Sequence, residues 1–179
     1  EAVARGVTQV THTGNGMRPF HHREPGILGA ALNLKGLRAQ IIADGIHLNP
    51  ATVKLFIDAR GIDDVILITD GIRAVGYPDG EYEMGGQMIT VKGMEARLPS
   101  GSLCGSRLTL IQAVQKACSF AKLSLCDAVR AASLIPARSI GVDNEYGSIE
   151  VGKAADLVAI DSQFQVARTY LGGKLIYQR

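Results

Sequence analysis

Three short segments of the chain each deliver an acid-base side chain just after an apolar run. They are Val10-Thr11-His12, Ile41-Ile42-Ala43-Asp44-Gly45-Ile46-His47 and Val65-Ile66-Leu67-Ile68-Thr69-Asp70. In parallel α/β proteins the carboxyl ends of the strands converge on one face, and chemistry collects there. Two imidazoles and a carboxylate placed in this way can bind a metal ion, move protons, or do both. His12 suits zinc, iron or a similar divalent metal through a neutral ring nitrogen. Asp70 can take a proton from water and return it to a leaving group, a general base turned general acid.

Each of these residues also has a plainer reading. His12 can be a polar side chain satisfied by backbone groups, and Asp70 can cap the turn it forms with Gly71. His47 either contacts a ligand or orders the Asn49 helix cap, and Asp44 is assigned to the turn rather than to a metal. Arg23 stands in a loop beside His21 and His22 and offers a planar fork suited to phosphate oxygens. Its alternative is a surface salt bridge to Glu24. Cys104 lies in a Gly-rich turn without the base motif a nucleophile needs.

The elements that must position these groups alternate in type. Gly6 closes a short helical piece, and Val7 to Thr11 reads as a buried strand. Residues 13 to 38 form a long loop with a short helix predicted at Gly29 to Leu34. Gln40 to Ala43 is the next strand. Asn49 and Pro50 then supply an N-cap and a first-turn proline for a helix whose apolar positions are Val53, Phe56 and Ile57, ending at Gly61. Asp64 to Thr69 is a strand covered on both faces. This alternation predicts parallel pairing with right-handed crossovers.

A β-hairpin insertion is predicted at about residues 81–98, turning at Gly85-Gly86 and Lys92-Gly93. Helices follow at Leu108 to Lys122, with Ser106 as N-cap, and at Leu125 to Ser133, with a further turn at Pro136 to Ile140. Cys118 and Cys126 fall in these helices as buried apolar residues. A small β unit is predicted at 147–179, closing with a hairpin at Gly172-Gly173. His12, His47 and Asp70 are separated by 35 and 23 residues, near the spacing of successive βα units. A whole eight-stranded barrel needs about 250 residues. The expectation is therefore an α/β fold, the C-terminal part of a TIM-like (β/α)8 barrel (1–146) followed by part of a small β domain (147–179).

Bulk properties narrow the function classes. The 179 residues are 46% hydrophobic and 20% charged, with a net charge of +2. No apolar stretch is long enough for a bilayer. Lys and Arg form no run and aromatics are 5%, which argues against nucleic acid. Cys104, Cys118 and Cys126 are odd in number and lack C-x-x-C spacing, so reduced thiols in a cytoplasmic protein are expected. The chain begins at Glu1 without Met, within what reads as a helix end, and a longer parent protein is expected.

These residues resemble the N-acetylglucosamine-6-phosphate deacetylases of the amidohydrolase superfamily. The matching segments are Thr11-His12-x-x-Asn15-x-Met17, His22-Arg23-Glu24-Pro25-Gly26, Ile42-Ala43-Asp44-Gly45-Ile46-His47 and Ile68-Thr69-Asp70. Pro78-Asp79-Gly80-Glu81-Tyr82, Leu103-Cys104-Gly105-Ser106 and Ala132-Ser133-Leu134-Ile135-Pro136-Ala137-Arg138 continue the match. The resemblance implies that His12 is a metal ligand after the sixth barrel strand, His47 a substrate contact after the seventh, and Asp70 the catalytic aspartate after the eighth. It implies a divalent metal, zinc first, with iron or another ion as alternatives.

It also implies that Arg23 holds the sugar phosphate in the neighbouring site of a homodimer. Asn15-Gly16 and Leu103-Cys104-Gly105 align with substrate-binding segments. Thr13 and Gly14 replace a Leu and an aromatic residue, and Gly16 and Gly71 replace Ala, which implies a looser loop floor. The family's remaining metal ligands, a glutamate and a histidine from earlier strands, have no counterpart here. The implied activity is removal of the N-acetyl group of N-acetylglucosamine 6-phosphate. The rival expectations are an amidohydrolase acting on a cyclic amide or nucleobase, and a non-catalytic fragment serving as a binding or oligomerisation module.

Overall fold

The computed structural model describes every residue from Glu1 to Arg179. Three parallel strands, β1 (Gln9–Val10), β2 (Arg38–Ile41) and β3 (Val65–Leu67), lie side by side in that order. Helix α1 (Gly26–Asn33) crosses from β1 to β2, and α2 (Pro50–Arg60) from β2 to β3. Parallel neighbours cannot be joined by a tight turn, so each helix is the return path its strand pair requires. All three β3 residues are buried, as a sheet covered on both faces demands. Ile41, Val53 and Val65 are fully buried in one core of 20 residues shared by β1–β3, α1, α2 and the next two helices.

Helix α2 begins as its sequence dictates. The Asn49 side chain accepts from the Ala51 N–H at 2.9 Å, Pro50 occupies the first turn, and Val53, Phe56 and Ile57 face inward. Strand β1 is shorter than Val7 to Thr11 because the chain folds into a turn at once, the Asn15 N–H donating to the His12 carbonyl at 2.9 Å. The short helix starts earlier than Gly29, directly after Pro25.

The insertion is a three-stranded meander rather than a single hairpin. Strands β4 (Gly80–Met84), β5 (Gln87–Lys92) and β6 (Glu95–Arg97) are antiparallel, because the chain reverses a second time at Gly93. Ile89, Val91 and Ala96 bury against Ile72 and Ala74 in a second small core. Arg107 ties the meander down, pairing with Asp79 at 2.8 Å and donating to the carbonyls of Tyr77 and Gly93.

Helices α3 (Leu110–Ala121), α4 (Leu125–Ala132) and α5 (Leu134–Ser139) follow. The cap of α3 is Thr109, in a reciprocal capping box with Gln112, and not Ser106. Ser106 is fully buried and is spent on the strand end described below. Ser124 caps α4. Cys118 is half-buried, but Cys126 is exposed, since it sits in the first turn of α4 on the face away from the core. The tail forms an antiparallel sheet of β7 (Leu157–Ile160), β8 (Val166–Leu171) and β9 (Lys174–Gln178), with Gly172 and Gly173 at the β8–β9 turn. No helix is long and apolar enough to cross a membrane.

Candidate functional site

Because β1, β2 and β3 are parallel neighbours, the residues that follow them leave the sheet at one end. His12 follows β1 by two positions, Asp44 and His47 follow β2 by three and six, and Asp70 follows β3 by three. The ladder continues into these segments, with the Thr13 N–H donating to the Gln40 carbonyl at 2.7 Å and the Ile68 N–H to the Ile41 carbonyl at 3.0 Å. The strand ends are therefore rigid where they hand over to the loops.

His12 has φ 31° and Asp70 φ 48°, two of only four non-glycine residues in the left-handed region. Such strain persists only where the surroundings enforce it, and it concentrates at functional sites. For His12 the enforcement comes from Asn15, whose side-chain amide and backbone N–H both donate to the His12 carbonyl. In return the His12 Nδ1 lies 3.1 Å from the Asn15 carbonyl. That carbonyl can only accept, so Nδ1 carries the proton and the lone pair is left on Nε2, the arrangement of a metal-binding histidine.

For Asp70 the enforcement comes from Ser106. The Ser106 N–H donates to the Asp70 carbonyl at 2.8 Å, the Ile72 N–H donates to the Ser106 carbonyl at 3.0 Å, and the Ser106 hydroxyl donates to the Thr69 carbonyl. Gly105 lies directly against the Asp70 carbonyl, and the Leu103-Cys104-Gly105 segment is thereby brought to Asp70. The Asp70 carboxylate itself is exposed and takes part in no side-chain hydrogen bond or ion pair of the fold. Cys104 packs against the meander core, where its backbone N–H donates to the Ala96 carbonyl.

Between these two, Asp44 organises the turn after β2. Its Oδ1 accepts from the Ile46 and His47 N–H groups, both at 2.8 Å, and its Oδ2 is 2.6 Å from the His47 Nδ1. The Asp44 and His47 side chains are 1% and 5% exposed. Burial pushes the Asp44 carboxyl pKa up, but the His47 ring and the two backbone N–H groups outweigh it, leaving the group below its ordinary 3.8. The sign follows from linkage. A folded-state value below 3.8 means the stabilisation is complete above that pH and is lost as pH falls through the folded value. Asp44→Ala should cost about 1–3 kcal/mol near neutrality. The difference from wild type should shrink below about pH 4 in acid titrations followed by circular dichroism.

Thr13 and Gly14 are packed against the rest of the fold. Thr13 is fully buried and its hydroxyl donates to the Val10 carbonyl at 3.0 Å. Gly14 sits so close to Leu48 that a Cβ there would lie 2.9 Å from its Cδ2. Gly14, His47 and Leu48 help line a cavity of about 450 Å3, together with Phe20, Leu28 and Phe56. Arg23 is exposed and does not pair with Glu24; its guanidinium enters none of the ion pairs of the fold.

As a metal site the set is incomplete. His12 fits as one ligand, but no three His, Cys, Asp or Glu side chains converge on a common point. Asp44 lies in the turn, as its sequence position predicts, and adds a contact to His47. The supports missed at the level of sequence are Ser106 behind Asp70 and the Asn15 carbonyl behind His12.

A parallel sheet with acid-base residues at its strand ends defines the class, an α/β fold whose chemistry gathers at the carboxyl ends of its strands. Residues 6–176 match the Amidohydrolase family, and the chain belongs to that family. It is 41% identical over 99% of its length to N-acetylglucosamine-6-phosphate deacetylase of Bacillus subtilis, covering 45% of that protein. It is 39% identical over 97% of its length to N-acetylgalactosamine-6-phosphate deacetylase of Escherichia coli O157:H7, covering 46% of it. Among solved structures, N-acetylglucosamine-6-phosphate deacetylase of Thermotoga maritima superposes with a TM-score of 0.95 at 34% identity, over 99% of this chain and 49% of that one. The chain thus spans about half the length of these relatives.

Proposed function

We propose that this chain is the C-terminal part of a TIM-like barrel, with residues 147–179 in a small β domain, of a cytoplasmic deacetylase. Its substrate is N-acetylglucosamine 6-phosphate, and its products are glucosamine 6-phosphate and acetate. The observation that carries the reading is the pair of strand ends at which His12 and Asp70 are held in left-handed backbone conformations by dedicated partners, within a chain that is 41% identical to one such deacetylase.

His12 would hold a divalent metal through Nε2, zinc first, with ligands that the other residues described here do not supply. When bound, such an ion polarises the amide carbonyl and lowers the pKa of water. Asp70, exposed and without a competing partner, takes the proton of the attacking water and delivers it to the leaving amine. His47 contacts the sugar, while the backbone of Asn15-Gly16 and Leu103-Cys104-Gly105 shapes its berth.

Arg23 binds the phosphate, and in a homodimer it reaches the neighbouring site. A guanidinium left unpaired in a loop supports this role. Arg23→Ala in the full-length protein should raise KM for the phosphorylated sugar by about 10–100-fold, the value of a lost charge-assisted pair. It should leave hydrolysis of unphosphorylated N-acetylglucosamine unchanged. Equal effects on both sugars would remove Arg23 from the phosphate site. Preference for a cyclic amide or nucleobase over either sugar would replace the substrate reading.

A further inference from the structure

We propose that Asp44 is a positioning residue that fixes the tautomer of His47, keeping the proton on Nδ1 so that Nε2 accepts a hydrogen bond from a hydroxyl of the sugar. The substrate half of this inference rests on the reading above; the tautomer half stands on the geometry alone.

The carboxylate has a separate task for each oxygen. Oδ1 is spent on the two turn N–H groups of Ile46 and His47, at 2.8 Å each. Oδ2 faces the ring at 2.6 Å from Nδ1. An ionised carboxylate is an acceptor only, so the nitrogen facing it must carry hydrogen. In the neutral ring the lone pair then resides on Nε2, which takes no protein partner and is not among the buried atoms left unsatisfied. With side chains 1% and 5% exposed, water does not compete for the contact.

The turn is also braced from outside. On α3, the Lys116 ammonium donates to the Asp44 carbonyl at 2.9 Å and lies 5.7 Å from the centre of the Phe120 ring. Phe120 in turn closes over Gly45, where a Cβ would meet its Cζ at 3.3 Å. Helix α3 therefore holds the backbone of the turn, and the Ile46 and His47 N–H groups hold the carboxylate. His47 lines the 450 Å3 cavity beside Gly14, which places the ring next to the loop that carries His12.

The test exploits the division of labour between the two oxygens. In Asp44→Asn the position of Oδ1 must stay an oxygen to accept two N–H groups, so the amide NH2 falls where Oδ2 was. A donor then faces Nδ1, and the ring proton moves to Nε2. Side-chain 15N spectra of the full-length protein, at a pH where the ring is neutral, should show the Nδ1–H tautomer in wild type and the Nε2–H tautomer in Asp44→Asn. Lys116→Met should keep the wild-type tautomer.

With the polarity at Nε2 inverted, KM for N-acetylglucosamine 6-phosphate should rise about 10–100-fold while kcat changes little, the pattern of an interaction made equally in ground and transition states. A wild-type ring protonated on Nε2, or an Asp44→Asn variant that retains Nδ1–H, overturns the proposal. If Asp44→Asn does not fold, the wild-type spectrum alone decides the tautomer. Inversion with an unchanged KM overturns the sugar contact. A wild-type protein that fails to hydrolyse the sugar phosphate defeats the functional reading instead, because the tautomer is measured without substrate.

Discussion

Asp70→Asn in the full-length protein should lower kcat for deacetylation by about three orders of magnitude, within the range general acid–base groups supply. It should leave the melting temperature and the affinity for the sugar phosphate unchanged. The two expectations separate because of where Asp70 sits. Its backbone is held at φ 48° by Ser106, a conformation Asn adopts as readily as Asp, and its side chain makes no bond that the fold needs. The amide fills the same space but cannot take a proton from water. Steady-state kinetics with thermal melts reads both quantities, and hydrolysis within tenfold of wild type would strip Asp70 of its role as proton carrier.

Gly105→Ala should lower stability and activity together, although the glycine itself carries no chemistry. Its φ is 61°, and a Cβ would lie 2.7 Å from Ile72 Cγ2 and 2.9 Å from the Asp70 carbonyl oxygen. The second neighbour is backbone and already holds a hydrogen bond from Ser106, so it can yield only by shifting Asp70. The strain and overpacking should cost about 1–3 kcal/mol, which lowers the melting temperature by several degrees. Displacement of the carboxylate should lower kcat by tenfold or more, since about 1 Å of misplacement can cost 10²-fold. Gly36→Ala is the control, with φ 77° and nothing within 4 Å of the new Cβ. It shares the backbone penalty and lacks the collision, so loss of activity there equal to that of Gly105→Ala would contradict the argument.

The contrast between these two glycines shows what a sequence discloses and what it withholds. Helix α2 is legible to the residue, because its cap, first-turn proline and inward positions are all local signals at Asn49, Pro50, Val53, Phe56 and Ile57. The parallel order of β1–β3 is legible from strand–helix–strand alternation, and with it the gathering of His12, His47 and Asp70 at one end. Ser106 reads locally as a helix cap because its partners, Thr69, Asp70 and Ile72, lie more than 30 residues away and no local pattern marks them. The second reversal at Gly93 is legible as a turn but not as the start of a third strand, whose pairing depends on Arg107 and the core under Ile89. Cys126 reads as buried because helical spacing alone does not say which face of a short helix turns inward. Left-handed backbone at His12 and Asp70 has only a weak signature in residue type, since His and Asp enter that region more often than most side chains but glycine is the usual choice there.

The most direct test of the central claim is acetate release from N-acetylglucosamine 6-phosphate by the full-length protein supplied with zinc or another divalent metal. Metal-dependent release of acetate together with glucosamine 6-phosphate, abolished in Asp70→Asn, is the expected result. A metal-loaded, folded protein that releases no acetate from this substrate would contradict the account.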